Sequence, residues 1–269
     1  MNKIKMTHVY EYIRVGITHP CVQILHIIVL FIWTGVRPTI YDWLATGCLL
    51  MFWSALGLVC LHRFFAHQAF RTSGVMCDIL GVVGTLSNQQ GILWWASKHT
   101  RHHRYCDLER DPHSWIQTSL LYAWVGWVFY ERTTEWEYVP LIYRDRISLM
   151  ILDKYSYLLV FAAIALLWFC FGPAIAICWY WLPTTLSALV SLAFNVMFHP
   201  QTHSTHTNKC HAIDSSMFIS WFSGEGYHEA HHKHPRNARR PGVDLSYYVF
   251  LYPLEQLGLI WDLQDSSKK

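Results

Sequence analysis

Long stretches of the chain contain no charged residue, and these stretches form two pairs. Residues 15–36 and 43–62 are 22 and 20 residues without Asp, Glu, Lys or Arg, and residues 155–208 are a further 54. A helix needs about 20 apolar residues to cross the hydrocarbon core of a bilayer. Gly172-Pro173 divides the longest stretch into two such lengths. The pattern predicts four transmembrane helices in two hairpins, at about 15–36, 43–62, 155–172 and 174–198.

Polar residues interrupt a further uncharged stretch, residues 79–97. Ser87-Asn88-Gln89-Gln90 lies at its centre. Polar groups that face lipid without a hydrogen-bond partner are costly, so a lipid-exposed span is disfavoured here. We expect an interfacial or re-entrant segment.

The positions of the basic residues indicate the orientation. Three basic residues, the last of them Arg14, precede the first span, and residues 63–154 and the C-terminal tail carry nearly all the others. Segments rich in Lys and Arg stay in the cytoplasm, so both termini and the middle segment are expected there. The sequence contains no repeats and few turn-rich linkers. We therefore expect one domain, residues 1–269, with a cytosolic cap made of residues 63–154 and 199–269.

Composition agrees with a membrane protein and excludes other classes. Charged residues make up 14% of the chain and hydrophobic residues 53%, whereas an ordinary soluble domain is roughly 25% charged. The net charge of +3 is too small to indicate a nucleic-acid partner. The eight cysteines form no CxxC pair, so we expect no disulfide scaffold. The 17 histidines nearly equal the 18 acidic residues, and they indicate a site built from histidine.

Nine histidines fall into four short groups, and the expected topology places all four on the cytosolic side. The groups are HRFFAH at the end of the second span, HTRHH in the middle segment, the histidine of NVMFH after the fourth span, and HEAHH in the tail. The nine residues are His62, His67, His99, His102, His103, His199, His228, His231 and His232.

The spacing within the groups indicates how the imidazoles reach a common centre. Each HxxHH triplet places three side chains at i, i+3 and i+4, on one face of a helix. His62 and His67 are five residues apart, which is about 140° beyond one full turn of an α-helix, so the helix must distort or unwind to bring both to one centre. Asn195 and His199 are four residues apart and share a face. Nine imidazoles exceed the capacity of one metal ion, and two ions of Zn, Cu, Fe or Ni would account for them.

Three other classes of metal protein explain the sequence less well. HEAHH matches the H-E-x-x-H signature of zinc proteases. Such a protease would not require the five histidines of HRFFAH and HTRHH, which would remain unexplained. Ferritin-like diiron proteins need two Glu-x-x-His helices, whereas the two such motifs in the sequence, Glu225-Gly226-Tyr227-His228 and Glu229-Ala230-His231-His232, follow one another directly in a single segment. A metal transporter would place its ligands inside the spans, where His26 alone lies deep.

The four histidine groups resemble the histidine boxes of membrane fatty-acid desaturases, in the branch of acyl-CoA (stearoyl-type) and bacterial acyl-lipid Δ9 enzymes. The likeness extends from about Leu61 to Asp262. It includes DPHS at 111–114, DLSYY at 244–248 and LGLIWDL at 257–263. It departs in the tail box, which reads GEGYHEAHH where the family commonly has GEGWHNNHH or GEGFHNYHH.

The resemblance implies an all-α integral membrane protein, with four transmembrane helices under a cytosolic helical cap that holds two iron ions. The nine box histidines would be the iron ligands, and Asn195 would hold a metal-bound water. Trp95 and Ser191 would line the bend of the acyl tunnel, with Gln90 as a further candidate substrate contact. The bacterial inner membrane is the expected location.

The resemblance also implies the reaction, which is the O2-dependent introduction of a double bond, of the Δ9 type, into a saturated acyl-CoA or acyl-lipid chain. A methylene group has no acidic proton and no leaving group, so a metal cofactor must supply the chemistry. An acyl or alkyl hydroxylase with the same histidine boxes is the alternative, and an HExxH membrane zinc metalloprotease is a remote one. The altered tail box leaves chain length and bond position open.

The electrons for this reaction have to come from a separate protein. About 37 residues follow the tail box and resemble the desaturase tail, so we expect no haem-binding extension and a ferredoxin or a cytochrome b5-like donor. Lys233, Arg236, Arg239 and Arg240 form a basic cluster directly after the last ligands, which suits an acidic donor or an anionic head group. An anchor on anionic lipid is an equal alternative.

Overall fold

The computed structural model describes residues 3–201, 210–215 and 222–265, and this part of the chain is mostly helical. Its α-helices are α1 (Lys3–Thr18), α2 (Pro20–Thr34), α3 (Ile40–Leu58), α4 (Gly74–Leu86), α5 (Ile92–Tyr105), α6 (Trp127–Tyr130), α7 (Ile147–Lys154), α8 (Ser156–Phe171), α9 (Pro173–Ile175), α10 (Leu182–Met197), α11 (His228–Lys233) and α12 (Tyr252–Gln256). π-Helical turns occupy Val59–Ala66, Tyr122–Gly126, Ala176–Trp181 and Tyr247–Leu251, and 3₁₀ turns occupy Trp136–Tyr138 and Leu141–Tyr143. The strands β1 (Arg71–Thr72) and β2 (Ile260–Trp261) pair antiparallel.

Two continuous helices of the described chain are long and apolar enough to cross a bilayer. The first, Ile40–Ala66, is α3 with the π-helical turn that follows it, and the second, Pro173–Met197, contains α9, a π-helical turn and α10. The two helices pack together, and the hydroxyl oxygens of Ser54 and Ser187 lie 3.1 Å apart between them. The pairs α1–α2 and α7–α8 are bent by 59° and 67°, and they raise the number of candidate spans to four if each pair counts as one.

Large apolar side chains on the outside of the bundle are exposed. Ile32 and Trp33 on α2 are 78% and 76% exposed, and Phe169 on α8 is 87% exposed. Soluble proteins rarely leave extended apolar surfaces in contact with water. This surface fits a lipid bilayer and agrees with the predicted membrane protein.

The first predicted span, residues 15–36, is not one helix. α1 ends at Thr18 and α2 begins at Pro20, which has no backbone N–H and suits the first position of a new helix. His19 caps α2, because its Nδ1 accepts a hydrogen bond of 3.3 Å from the Cys21 backbone N–H. The chain therefore bends within the predicted span, by 59° between α1 and α2.

The polar stretch Ser87–Gln90 separates α4 from α5, as the sequence indicated. All four residues are buried, and Asn88 and Gln90 have positive φ angles of 61° and 70°. Asn88 exchanges two side-chain hydrogen bonds with Gln23, at 2.7 and 3.1 Å. The Gln90 amide oxygen accepts from the Thr18 hydroxyl at 2.9 Å. These partners satisfy the polar groups inside the protein, and the chain reverses into α5.

The main core cluster fixes the segments that carry the first two histidine groups. It joins the Val59–Ala66 turn to α4, α5 and β2, and Leu61, Phe65, Leu93 and Ile260 are almost completely buried in it. Burial of a side chain of this size stabilises a fold by about 1.5–3 kcal/mol. The histidines at the end of α3 and on α5 are therefore held on a rigid scaffold.

Candidate metal centre

A π-helical turn brings His62 and His67 together. In the turn Val59–Ala66 the helix is wider than an α-helix, because its hydrogen bonds join residues five apart. The His67 backbone N–H donates to the His62 carbonyl at 3.1 Å. The two rings consequently lie on one side, with centroids 4.8 Å apart. The distortion that the HxxxxH spacing required is present.

α5 and α11 each carry three histidines at i, i+3 and i+4, as predicted. The carboxylate of Asp153 accepts hydrogen bonds of 2.8 Å from two backbone N–H groups in the first turn of α5. Asp214 does the same for α11, at 2.9 and 3.3 Å. These N–H groups have no partner within their own helix, so each carboxylate fixes the helix that presents the imidazoles.

The nine histidines form two adjoining clusters. Five of them have ring nitrogens within 4.8 Å of one another and are named site A: His62, His67, His99, His103 and His231. The other four are named site B: His102, His199, His228 and His232. Within site B, His228 Nε2 lies 3.1 Å from His199 Nε2 and 3.2 Å from His232 Nε2.

The Nε2 atoms in each site point at one another. Three Nε2–Nε2 separations in site A are 2.9 Å, and the pairs are His62–His231, His67–His99 and His103–His231. Two nitrogens that bind one metal ion at about 2.1 Å and at a right angle lie about 3.0 Å apart. The arrangement of both sites therefore fits imidazoles that share metal ions.

Three carboxylates contact three of the imidazoles at the ring nitrogen Nδ1. Their oxygens lie 2.8 to 2.9 Å from Nδ1 in the pairs His62–Glu225, His102–Asp111 and His199–Asp107. A carboxylate accepts from Nδ1–H, which leaves the Nε2 lone pair free for a metal ion and makes the imidazole a stronger ligand. The geometry thus selects the tautomer that metal binding needs.

Burial keeps most of these histidines neutral. It is the main cause that lowers the pKa well below the ordinary value for His67, His99, His103, His228, His231 and His232. Burial also acts to lower the pKa of His102, but the Asp111 carboxylate raises it. Burial acts to raise the pKa of Glu225, but His62 and Arg240 lower it to about 2. Ligands must be deprotonated to bind a metal ion, so the site is ready for one.

A buried network of charges connects site A to the tail. The Arg63 guanidinium donates to both carboxylate oxygens of Asp244 at 2.9 Å, and Glu225 lies 3.8 Å from Arg63 and 3.9 Å from Arg240. Arg240 is only 2% exposed. It cannot belong to the predicted basic surface cluster, and that prediction was wrong for this residue because its charge is paired inside the protein.

Two small adjoining cavities, of about 40 and 30 Å³, lie beside site A. The first is lined by His99, Asn195 and Ser191, and the second by Gln90. Both cavities share the side chains of Trp94, Trp95, Trp127 and Leu192. The Trp95 ring stacks on His99 with centroids 4.9 Å apart. The structure thus brings Trp95, Ser191 and Asn195 together beside site A, and it places Gln90 further away.

Glu229, the general base of the zinc-protease alternative, takes part in a different contact. Its carboxylate accepts from the Lys233 ammonium at 2.6 Å, one turn further along α11. The two histidines of H-E-x-x-H, His228 and His232, lie in site B with His102 and His199 from distant segments. This arrangement does not favour a protease.

A disulfide joins Cys106 and Cys210, a pairing that the spacing of the cysteines did not predict. The two residues are 104 positions apart, and their surroundings in the sequence give no signal for pairing. Cys106 Sγ lies 3.8 Å from His199 Nδ1, and Cys210 Sγ lies 3.6 Å from His232 Nδ1. The disulfide therefore lies at the edge of site B.

The three carboxylates that hold imidazoles were also missed. Asp107 and Asp111 follow HTRHH within nine positions, and Glu225 precedes HEAHH by three. Closeness to a box was the available signal, because a single acidic residue in a loop has no periodicity that would distinguish it.

Comparison with known proteins gives a consistent result. The fatty acid desaturase family matches residues 41–256. The chain is 29% identical to a hex-5-enoyl-[acyl-carrier protein] acetylenase of Moorena producens, over 83% of this chain and 78% of that protein. It is 26% identical to an sn-1 stearoyl-lipid 9-desaturase of Anabaena variabilis, over 91% and 92%. It is 24% identical to acyl-CoA desaturase 1 of Saccharomyces cerevisiae, over 81% and 46%.

The family match covers both histidine sites and the cavities beside them. The described helices that are apolar enough for a membrane lie within or next to it. The chain therefore belongs to the fatty acid desaturase family, and it is an oxidoreductase that acts as a fatty acid desaturase.

Proposed function

We propose that the protein is an O2-dependent acyl desaturase that introduces a Δ9-type double bond into a saturated chain, with two iron ions held by sites A and B. The observation that carries the proposal is the position of site A. At His99, site A borders the first of the two cavities that Trp94, Trp95 and Trp127 line, and Asn195 lines the same cavity. The two cavities would widen to admit an acyl chain, which would then place one C–C bond next to the imidazoles.

The chemistry requires an oxidant that amino-acid side chains cannot supply. When bound, the iron ions would activate O2 and remove the two hydrogens. The overall reaction converts one –CH2–CH2– unit, O2, two electrons and two protons into one –CH=CH– unit and two molecules of water. The side chains of this protein would hold the metal ions, orient the chain and exclude bulk water.

The residues around the first cavity would share these tasks. The nine histidines are the proposed iron ligands, and the Asn195 amide would hold a water molecule at site A. Trp95 packs flat on His99, so it would fix the ligand ring and form one wall of the tunnel. Ser191 lies one turn before Asn195 on α10 and would contact the chain at the same place. Gln90 would close the second cavity, because its amide is bonded to Thr18.

We infer that the four apolar units cross the membrane as two hairpins. α1–α2 with Ile40–Ala66 would form the first hairpin, and α7–α8 with Pro173–Met197 the second. The histidines lie at the ends of these units: His62 is the last residue of the predicted second span, and the other eight lie within residues 63–154 and 199–269. By the distribution of basic residues, this cap and both termini would face the cytoplasm of a bacterial inner membrane.

The acyl group is the common element in the names of the relatives. One name specifies an acyl-carrier protein, one a stearoyl-lipid and one an acyl-CoA. We propose an acyl-lipid or acyl-CoA substrate for this chain. Gas chromatography with mass spectrometry of fatty acids from an expressing host tests this, because it reports reaction type, chain length and bond position together.

The matched control for that experiment is a host that expresses His102→Ala. New monounsaturated chains that depend on O2 and are absent from the control support the proposal. Hydroxylated chains without any alkene would contradict desaturation. The metal is tested on purified protein, where about two irons per chain are expected, and stoichiometric zinc without iron would refute the iron assignment.

The electron donor would dock on a basic groove of the cap. Arg71, Arg146 and Arg236 line this groove, and Gln68, the residue after the proposed ligand His67, also lines it. Arg71 lies 3.4 Å from Asp262 and Arg146 lies 2.8 Å from Asp78, so Arg236 contributes most of the net positive charge. Complementary charge would draw an acidic ferredoxin or cytochrome b5-like protein to this surface. The groove thus offers a docking position next to site A.

Charge reversal tests the docking position. We expect Arg236→Glu to raise the apparent KM for the donor severalfold, with an unchanged apparent KM for the acyl substrate. Arg37→Glu is the matched control, because Arg37 is an exposed arginine in the loop between α2 and α3. An unchanged donor KM in Arg236→Glu would rule out this surface.

A further inference from the structure

The disulfide between Cys106 and Cys210 lies in contact with the supports of site B. Cys106 is the residue after α5, and the Asp107 carboxylate that follows it holds His199 Nδ1 at 2.9 Å. Asp107 also accepts from the His211 backbone N–H at 2.8 Å, next to Cys210. Reduction of the disulfide would therefore change the immediate surroundings of His199 and of the Asp107 carboxylate.

These residues together present a second set of metal-binding atoms. Cys106 Sγ, Cys210 Sγ, a carboxylate oxygen of Asp107 and a ring nitrogen of His199 all lie within 4.8 Å of one another. Tetrahedral zinc binds sulfur at about 2.3 Å and nitrogen or oxygen at about 2.0–2.2 Å, so its ligands lie about 3.3–3.8 Å apart. The four atoms need only small movements to reach such a site once the sulfurs separate.

The chemistry of this donor set differs from that of sites A and B. Thiolates are soft ligands that favour zinc and similar ions, whereas sites A and B consist of imidazoles. The disulfide has no thiolate to offer, so the oxidised protein leaves His199 and Asp107 to site B. The reduced protein would hold two thiols directly beside them.

We propose that Cys106 and Cys210 form a thiol–disulfide switch: as a disulfide they leave site B intact, and as a dithiol they complete a zinc site with Asp107 and His199. An external dithiol reduces the disulfide, and it becomes a disulfide itself while Cys106 and Cys210 each gain one electron and one proton. Zinc then replaces the two thiol protons, which pass to solvent. The Nδ1 proton of His199 moves to Nε2, so Nδ1 can bind zinc while Nε2 no longer offers a lone pair, and site B binds its own metal ion more weakly.

The switch is accessible to a reductant. The disulfide borders an open cavity of about 520 Å³ that His103, Arg104, Leu108 and His232 also line. Thiol–disulfide exchange needs such access, because the attacking thiolate must reach one of the sulfurs. A small dithiol or the exposed dithiol of a reductase fits this requirement.

The test compares zinc binding by the oxidised and the reduced full-length protein. Each form is freed of reductant by anaerobic gel filtration, mixed with two equivalents of zinc sulfate and desalted, and zinc and iron per chain are measured. We expect about one more zinc per chain after reduction, and a fall in iron from about two to about one. Cobalt in place of zinc should add a thiolate-to-metal absorption band.

Matched variants identify the sulfurs that act. The double variant Cys106→Ser/Cys210→Ser should bind no additional zinc after reduction and should keep its iron. The double variant Cys21→Ser/Cys48→Ser, which removes two exposed cysteines elsewhere, should behave as the wild type does.

Three results would overturn the proposal. The first is equal zinc uptake by the oxidised and the reduced wild type, and the second is equal uptake by the reduced wild type and Cys106→Ser/Cys210→Ser. The third is zinc uptake without any loss of iron. The proposal depends on the proposed function only in assigning His199 to an iron site, and zinc binding is measured even if no desaturated product is found.

Discussion

Sites A and B use the same side chain, but they hold it in different ways. In site B, two of the four histidines have a carboxylate on Nδ1, and both carboxylates come from the segment directly after α5. In site A, among the described residues, one histidine of five has such a partner, and Glu225 is 163 positions away from it. Site B is therefore oriented mainly by carboxylates, 9 positions from His102 and 92 positions from His199, whereas site A is oriented by the packing of the helices that carry it.

This difference has consequences for metal binding. Each carboxylate strengthens its imidazole as a ligand and fixes its orientation. Site B has four histidines, so each carboxylate contributes a larger share of its metal affinity. Site A has five histidines and depends less on any one carboxylate. Loss of one group should accordingly do more harm in site B than in site A.

The largest effect is expected for the loss of a ligand in site B. His102→Ala removes an imidazole together with its contact to Asp111, and three histidines remain. We expect it to abolish product and to lower iron from about two per chain to about one. The control His234→Ala changes an exposed histidine at the end of α11. It should keep both product formation and about two irons per chain. Full activity in His102→Ala would show that His102 is not a ligand of the metal centre.

The next effect is expected for a carboxylate of site B. In Asp107→Asn the amide can donate to His199 Nδ1 instead of accepting from it, which moves the ring proton to Nε2 and blocks the metal. Loss of such a support costs about 10–100-fold in metal affinity or activity. Competition with an iron chelator measures the affinity, and Asp145→Asn on the exposed surface is the control. An affinity equal to that of wild type would contradict the role of Asp107.

A smaller effect on the metal is expected for the single carboxylate of site A. Glu225→Gln loosens His62, while four other imidazoles remain, so we expect a loss near ten-fold, the low end of the same range. The variant also leaves Arg63 and Arg240 with less buried negative charge, and its melting temperature should fall. A loss in metal affinity larger than that of Asp107→Asn would reverse the comparison between the two sites.

Much of this site could be predicted from the sequence, and the reason is spacing. HxxHH has meaning only on a helix, and HxxxxH required a distorted helix, which the π-helical turn at Val59–Ala66 supplies. The bend at His19 was missed because hydropathy does not distinguish a straight helix from two helices in line. The burial of Arg240 and the pairing of Cys106 with Cys210 depend on contacts between distant segments, which local patterns do not contain.

The smallest effect is expected for a substitution of Glu229. This substitution distinguishes a desaturase from a zinc protease, the two interpretations of the tail box. In a zinc protease this glutamate is the general base, and its loss should cost about 10²–10⁴-fold in rate. Here its carboxylate is bonded to Lys233, and a surface ion pair of this kind contributes about 0–1 kcal/mol. Glu229→Gln should therefore keep activity and iron content within a few-fold of wild type, measured beside His102→Ala in the same host. An inactive Glu229→Gln together with a fully active His102→Ala would mean that the glutamate performs the chemistry and the histidines of α5 do not, and the comparison of sites A and B would lose its basis.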